Sequence, residues 1–549
     1  MLKKPLAVLT ATALTTWAAP AQAAGPAAAT ALAANQASHH QAADLTWNES
    51  DVAAVTLTGA SATTSSPNVT VSGSTVTVTA AGTYRFSGSL TSGQIVVNST
   101  GAGLVRIILN GVTITGGTGA LTVIAADEVL LFLQSGTTNR LTDGTASADG
   151  AIASAADLTI AGSGALVVTG TANDAINVKD GLVVAGGTIT ATAPDDALRG
   201  QDYVIVSGGS ITATAGGDGL KSDNDEDTTR GYVAVTGGTA TVTATGDAIT
   251  AETDVIVNGG TITATSGGGS TVTPGDTSAK GLKAGVLLVI SDGTTNVNAS
   301  DDGLHSDAAV TVDGGATTVA TGDDGVHAET NVSISGGAVS VTKSYEGIEG
   351  LKVSISGGSA TVTASDDAVN ASDPAYGEMQ NSPNALISVT GGTVVAGGGT
   401  DGLDSNGALT IGGGTVVVTG SATRGGGEGG LDSNGALTIT GGTLISSGIS
   451  ATTSTLPGSG QGWVSVTFSA NQPAGTIVHL ATTSGTQIAA YQPAKAFRGV
   501  VFSSSQITRG TTYAVRTGGT VSGTAVGGGL YVGGTLSGTQ VSTVTAGNR

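Results

Sequence analysis

Acidic side chains recur at a fixed offset along this chain, and carboxylates held in register can chelate a cation. The recurring motif is acid–Gly/Ala–aliphatic. It reads Asn-Asp-Ala-Ile-Asn at 173–177, Asp-Asp-Ala-Leu-Arg at 195–199 and Gly-Asp-Gly-Leu-Lys at 217–221. It returns as Asp-Asp-Gly-Leu-His at 301–305, Asp-Asp-Gly-Val-His at 323–327 and Asp-Asp-Ala-Val-Asn at 366–370. The equivalent positions are Asp174, Asp196, Asp218, Asp247, Lys280, Asp302, Asp324, Glu346, Asp367 and Asp401. A second acid column holds Asp223, Glu252, Asp307 and Glu329. Carboxylates stacked about 5 Å apart repel by about 3 kcal/mol at an effective dielectric of about 20. Ca2+, with its oxygen ligands, would offset that cost; a solvated stripe screened by salt is the alternative. The doubled acids Asp195/Asp196, Asp301/Asp302, Asp323/Asp324 and Asp366/Asp367 are the leading metal candidates, with Asp218, Asp223, Asp307 and Glu329 beside them. No EF-hand is present, because the run Asp223–Asp227 lacks the required Gly and the closing Glu.

Other side chains offer further chemistry. His305 and His327 stand at the same position of successive repeats, where they could bind a transition metal or form a surface ladder beside the acids. Lys280 and Lys283 interrupt the acids. A lysine of depressed pKa could abstract a proton in an eliminating lyase; paired with Asp247 and Asp302, Lys280 would instead be structural. Tyr232 and Tyr376 fall in insertions and could contact a sugar. Glycan contacts are therefore expected at Tyr232, Lys280, Lys283 and Tyr376. No catalytic triad can be assigned, since no nucleophile motif is present.

The elements that position these residues follow from the period. Gly-Gly pairs (or equivalents) end at Gly187, Gly209, Gly238, Gly260, Gly293, Gly315, Gly337, Gly358, Gly392, Gly414 and Gly442, with a base spacing of 22 residues. Apolar residues alternate on either side, as at Val204 and Val206 before one pair and Ile211 and Ala213 after it. Period-two alternation means strands with one buried face. Short strands in such a repeat, with no helical pattern, predict an all-β parallel β-helix, a solenoid of ~22-residue turns stacked at the ~4.8 Å strand spacing. Insertions fall at about 223–232, 265–279, 372–384 and 419–427, each beside the acidic motif, so loops and acids should share one face. Residues 44–115 and 459–549 are β-like but out of register, and are expected to be caps.

Composition narrows the function. The 549 residues carry a net charge of −21, with no Cys. Between Asp149 and Asp432 lie 34 of the 40 acids and only 9 of the 19 basic residues, and no acid follows Asp432. Such acidity argues against a nucleic-acid partner, and zero Cys excludes a disulfide scaffold. Only 3 Trp, 8 Tyr and 5 Phe are present, which weighs against sugar binding by aromatic stacking alone. Lys3 and Lys4, the apolar stretch Leu6–Ala19 and Ala21-Gln22-Ala23 read as a signal peptide over 1–23, so a secreted chain is expected to begin at Ala24. Residues 24–43, with His39 and His40, read as an Ala-rich linker. No later segment is apolar enough for a membrane span.

Gly-Thr-Tyr-Arg-Phe-Ser-Gly at 82–88, Gly-Gln-Ile-Val-Val-Asn at 93–98, Leu-Asn-Gly-Val-Thr-Ile at 109–114 and Ser-Gly-Thr-Thr-Asn-Arg-Leu-Thr-Asp-Gly at 135–144 precede the repeats. Together with the Asp-Gly-Leu and Gly-Gly repeats, they resemble the secreted bacterial carbohydrate-binding β-helix proteins related in fold to pectate lyases. The resemblance spans roughly 44–520; the tail from about Val521 departs from it. It implies a right-handed β-helix, bound calcium, and binding of plant-type polysaccharide such as cellulose or polygalacturonate, without established lyase activity. The expectation is thus a carbohydrate-binding β-helix over 44–458 and a β-rich segment over 459–549. Polysaccharide is the expected partner. A calcium-dependent lyase and a structural adhesin are the alternatives.

Overall fold

The structure, a computed structural model, describes residues 25–145, 147, 149–423 and 428–547. The signal-peptide expectation, and 424–427 of the last insertion, lie outside the described residues. Apart from one short helix, Ala28–Ala34, and two 3-10 turns, the regular structure among the described residues is β. One sheet takes 43 strands; a second, of 6 antiparallel strands, lies within residues 478–545.

Three rows of strands make the wall, each pairing in parallel with its equivalent one repeat away. After each glycine corner, Leu166, Ile189, Ile211, Ala240 and Ile262 pair in succession. Before it, Leu182, Val204, Val233 and Val255 do the same. A third row of three-residue strands carries Leu198, Leu220, Ile249, Leu282 and Leu304. Strands such as Thr188–Ala193 alternate exposed Thr with buried Ile and Ala, and the buried members form one continuous core.

The expectation of an open right-handed parallel β-helix is corrected by how this sheet closes. Strands do not stop at every glycine corner. Asp254–Ser266 pairs with Tyr232–Val235 through its first half and with Thr239–Ala244 through its second. Leu287–Ala299 does likewise. Hydrogen bonding thus runs on round the corners, and the rows merge into one closed, barrel-like parallel wall around a single core, not an open solenoid. Sequence spacing fixes which residues stack, but not whether pairing breaks at a bend. The corner glycine makes the bend possible: Gly209, between the strands Tyr203–Val206 and Ser210–Ala215, has φ +76°, and a Cβ there would lie 2.7 Å from the Gly187 carbonyl oxygen. Gly209→Val should therefore cost about 2–4 kcal/mol in denaturant unfolding. Gly101→Ala, exposed and with nothing within 4 Å of a new Cβ, should stay within about 0.5 kcal/mol.

Both ends of the wall are finished by antiparallel pairing. Val52–Gly59 pairs with Ala62–Thr64, and Phe497–Ser503 lies between Thr443–Gly448 and Trp463–Gln472. Parallel stacking reaches well into 44–115, since Gly82–Thr91 already pairs in parallel with Leu104–Thr115. The stretch 24–43 carries the helix Ala28–Ala34. Its Ala28 and Ala31 bury against Val183, Tyr203, Ile205, Tyr232, Ala234 and Ile256 on the outside of the wall. His39 is fixed there, with Nδ1 2.8 Å from the Tyr203 hydroxyl and Nε2 2.8 Å from Thr159 Oγ1.

Candidate functional site

The acidic motif sits in the bend that leads into the third row. Here the ladder carboxylates split their two oxygens. One oxygen is structural. Asp174 Oδ1 accepts the Asp196 N–H (3.1 Å), Asp196 Oδ1 that of Asp218 (2.7 Å), and Asp218 Oδ1 that of Asp247 (2.9 Å). Asp247 serves Lys280, Asp302 serves Asp324, Asp324 serves Glu346 and Asp367 serves Asp401 in the same way. Each carboxylate thereby satisfies a backbone donor of the next repeat, a charge-assisted bond that offsets much of the stacking repulsion. Sequence spacing showed the stack but not this partner.

The second oxygen meets the residue three positions on. Asn177 donates to Asp174 Oδ2 (2.6 Å), and Lys221 bridges Asp218 (2.9 Å) and Asp196 (3.2 Å). His305 Nδ1 lies 2.8 Å from Asp302, and His327 Nδ1 3.0 Å from Asp324. These partners form their own outward column. Asn177, Arg199, Lys221, Thr250, Lys283, His305, His327, Glu349, Asn370 and Asp404 pair one above another. Its chemistry grades from cationic to acidic. The signal was the residue closing each acidic motif.

The remaining candidates can be placed on this frame. Asp195 is exposed and clusters with Asp174 and Asp196, their ligand atoms within 4.8 Å of one another. Asp301, Asp302 and Asp323 form a second such cluster, but Lys280 Nζ already sits 2.6 Å from Asp302 and 3.1 Å from Asp301. Asp223 pairs with Arg199 (2.7 Å), Asp307 with His305 Nε2 (2.9 Å), and Glu329 lies 3.8 Å from His327 Nε2. Asp366 accepts the Thr400 hydroxyl. Lys283 reaches Asp247 at 3.8 Å. Tyr376 is half-buried in the 372–384 loop, where its N–H bonds to Asp373. Tyr232 is 2% exposed beneath the helix, and its hydroxyl donates to the Gln36 carbonyl (2.6 Å). In this conformation it has no face open to a sugar.

Burial sets the electrostatics. It pushes Asp174 up to about 7, with the Asp196 carboxylate adding to it. Further along, burial and then Glu349 take Glu346 to about 9, and burial and then Asp324 take Glu349 to about 8. Burial lifts Asp401 to about 8 and Asp404 to about 7, with Asp367 reinforcing both. At Asp302 burial is outweighed by the His305 hydrogen bond and by Lys280, which hold the carboxyl well below the usual range. Lys280 is conversely raised despite burial, by Asp302 and Asp301. It is held as an ammonium, not poised as a base.

Along the cationic half of the column runs a groove of ≈ 510 Å³, bounded by Asp195, Asp218, Lys221, Glu252, Lys283 and Asp307. Residues 72–325, which include this groove, match the family described as carbohydrate-binding domain-containing protein. A similar solved structure is described as the polysaccharide lyase-like protein from C. thermocellum, gadolinium derivative. It shares 32% identity over 38% of this chain and 89% of its own, with a TM-score of 0.38. No curated protein matches the chain. The matched stretch ends before His327, so the acidic half of the column lies outside it. Among the described residues no helix is long and apolar enough to cross a membrane.

Proposed function

We propose that the protein is a secreted, non-catalytic binder of plant-type or acidic polysaccharide, holding the glycan in the ladder groove. The observation that carries this reading is the groove itself, within the carbohydrate-binding stretch. It alternates cations, Lys221 and Lys283, with carboxylates, Asp195, Glu252 and Asp307. The ammonium groups suit glycan carboxylates, and the carboxylates suit sugar hydroxyls or a bridging cation. Calcium is the cation proposed. Asp174, Asp195 and Asp196 fit it best: three hard carboxylates converge there, Asp195 opens to solvent for water or glycan oxygens, and Lys221 reaches only Asp196, at 3.2 Å. At Asp301, Asp302 and Asp323, Lys280 already supplies the positive charge.

The test is retention on polygalacturonate and on cellulose, with Ca2+ and with chelator. Retention in Ca2+ should fall at least ~10-fold in chelator, and a Lys221→Ala/Lys283→Ala variant should lose polygalacturonate more than cellulose. No retention on either polymer in excess Ca2+ would refute the reading.

A further inference from the structure

We propose that Asp324, His327 and Glu349 form a site for one divalent transition-metal ion, separate from the glycan groove. The three ligand atoms lie within 4.8 Å of one another. His327 Nδ1 stands 3.0 Å from Asp324 Oδ2 and 3.6 Å from Glu349 Oε2. A tetrahedral ion with bonds near 2.1 Å needs donors about 3.4 Å apart, so the two separations bracket that edge. Asp324 and Glu349 carboxyls are also close enough to share a hydrogen bond, and among the described residues neither pairs with a Lys or Arg. Two carboxyls in contact beside an imidazole call for a cation or a proton between them.

Three further features fit an ion. Asp324 uses Oδ1 for the Glu346 N–H, which leaves Oδ2 for ligation. Asn370, next in register after Glu349 and 8% exposed, keeps a buried Oδ1 with no partner. A cavity of ≈ 240 Å³ opens onto His327, Glu329 and Glu349, room for water on an open coordination position. The imidazole decides the class of ion. Calcium takes oxygen, whereas a nitrogen with two carboxylates suits Zn2+, Co2+ or Ni2+. The neighbouring set Asp302, His305 and His327 is less suited, because Lys280 holds Asp302 and both His305 nitrogens meet carboxylates.

Calorimetric titration of the full chain with Zn2+, in excess Ca2+, tests this. One Zn2+ per chain is expected. His327→Ala should weaken it roughly 100-fold or more, and Glu349→Gln at least ~10-fold, since even supporting residues cost about 10–100-fold. His305→Ala should stay within ~3-fold. Thermal melts without metal check that each variant folds, and Co2+ in place of Zn2+ should give a visible absorption band that is lost in His327→Ala. Absence of Zn2+ binding, equal affinity in His327→Ala, or an equal loss in His305→Ala would each overturn the assignment. Glycan retention in Ca2+ is read separately and does not depend on the outcome.

Discussion

In chelator, raising the pH from 5 to 8 should destabilise the protein by on the order of 5 kcal/mol, a fall in Tm of roughly 5–10 °C. The groups responsible are buried acids whose folded pKa values lie above their ordinary ones. They include Asp367 at about 6, Asp174 and Asp404 at about 7, Asp401 and Glu349 at about 8, and Glu346 at about 9. In each case burial is the first cause. The unfolded chain ionises these carboxyls near pH 4, so their protonated folded forms lose ground as the pH climbs above 4 and until each folded pKa is passed. Across that interval each acid costs about 1.4 kcal/mol for every unit the pH rises, less where neighbours share a proton. His327 acts in the same direction. Against the opposing effect of burial, Asp324, Asp302 and Glu349 raise it to about 9, so its stabilisation is complete below about 6.5 and lost through 9. Melts in chelator from pH 5 to 8 check this; a flat or rising Tm would contradict it. Metal should offset about half of that loss at pH 8, because an ion bound only by the folded state at 100 times its Kd adds about 2.7 kcal/mol.

How far the sequence reached can be seen at particular residues. Val204, Val206, Ile211 and Ala213 announce their inward face by alternation, and all are buried. The motif spacing places Asp174, Asp196, Asp218 and Asp247 above one another. What spacing cannot carry is rotamer and hydrogen-bond partner, and so the backbone N–H that each ladder carboxylate accepts stayed hidden. From spacing, the charge stack called for a cation somewhere along it or for screening by salt; the chain also supplies N–H groups, Lys221, Lys280 and the two histidines. Continuation of strands through Gly260 and Gly293 was equally invisible, since a glycine pair reads as a break whether or not pairing crosses it. The helix over the outer wall left one trace. Tyr203-Val204-Ile205-Val206 is apolar at every position, which a strand with one wet face would not be, and all four are buried. Read that way, Tyr232 belongs under a covering segment and not in a sugar site.

Asp302→Ala should be among the most damaging single substitutions in the wall, costing about 3–5 kcal/mol. Asp302 is 3% exposed, and its two oxygens serve three donors. Oδ1 accepts the Asp324 N–H at 3.1 Å; Oδ2 takes Lys280 Nζ at 2.6 Å and His305 Nδ1 at 2.8 Å. Truncation strands a buried N–H, leaves Lys280 with Asp301 alone and takes the Nδ1 partner from His305, and solvent reaches little of that space. Asp302→Asn separates the contributions. It keeps an acceptor for the Asp324 N–H but removes the charge facing Lys280 and His305, and it should cost roughly half as much. Asp195→Ala, at an exposed acid of the same motif, should stay within about 0.5 kcal/mol. The pH dependence gives a second readout. The Asp302 carboxyl is held below its unfolded value, so its stabilisation is present above about pH 4 and is lost as the pH falls towards the folded pKa. The wild-type advantage over Asp302→Ala should therefore persist at pH 5 and shrink below pH 4. Denaturant unfolding at pH 7, 5 and 3 measures it, and an equal penalty for Asp302→Ala and Asp195→Ala at pH 7 would refute the role assigned to Asp302.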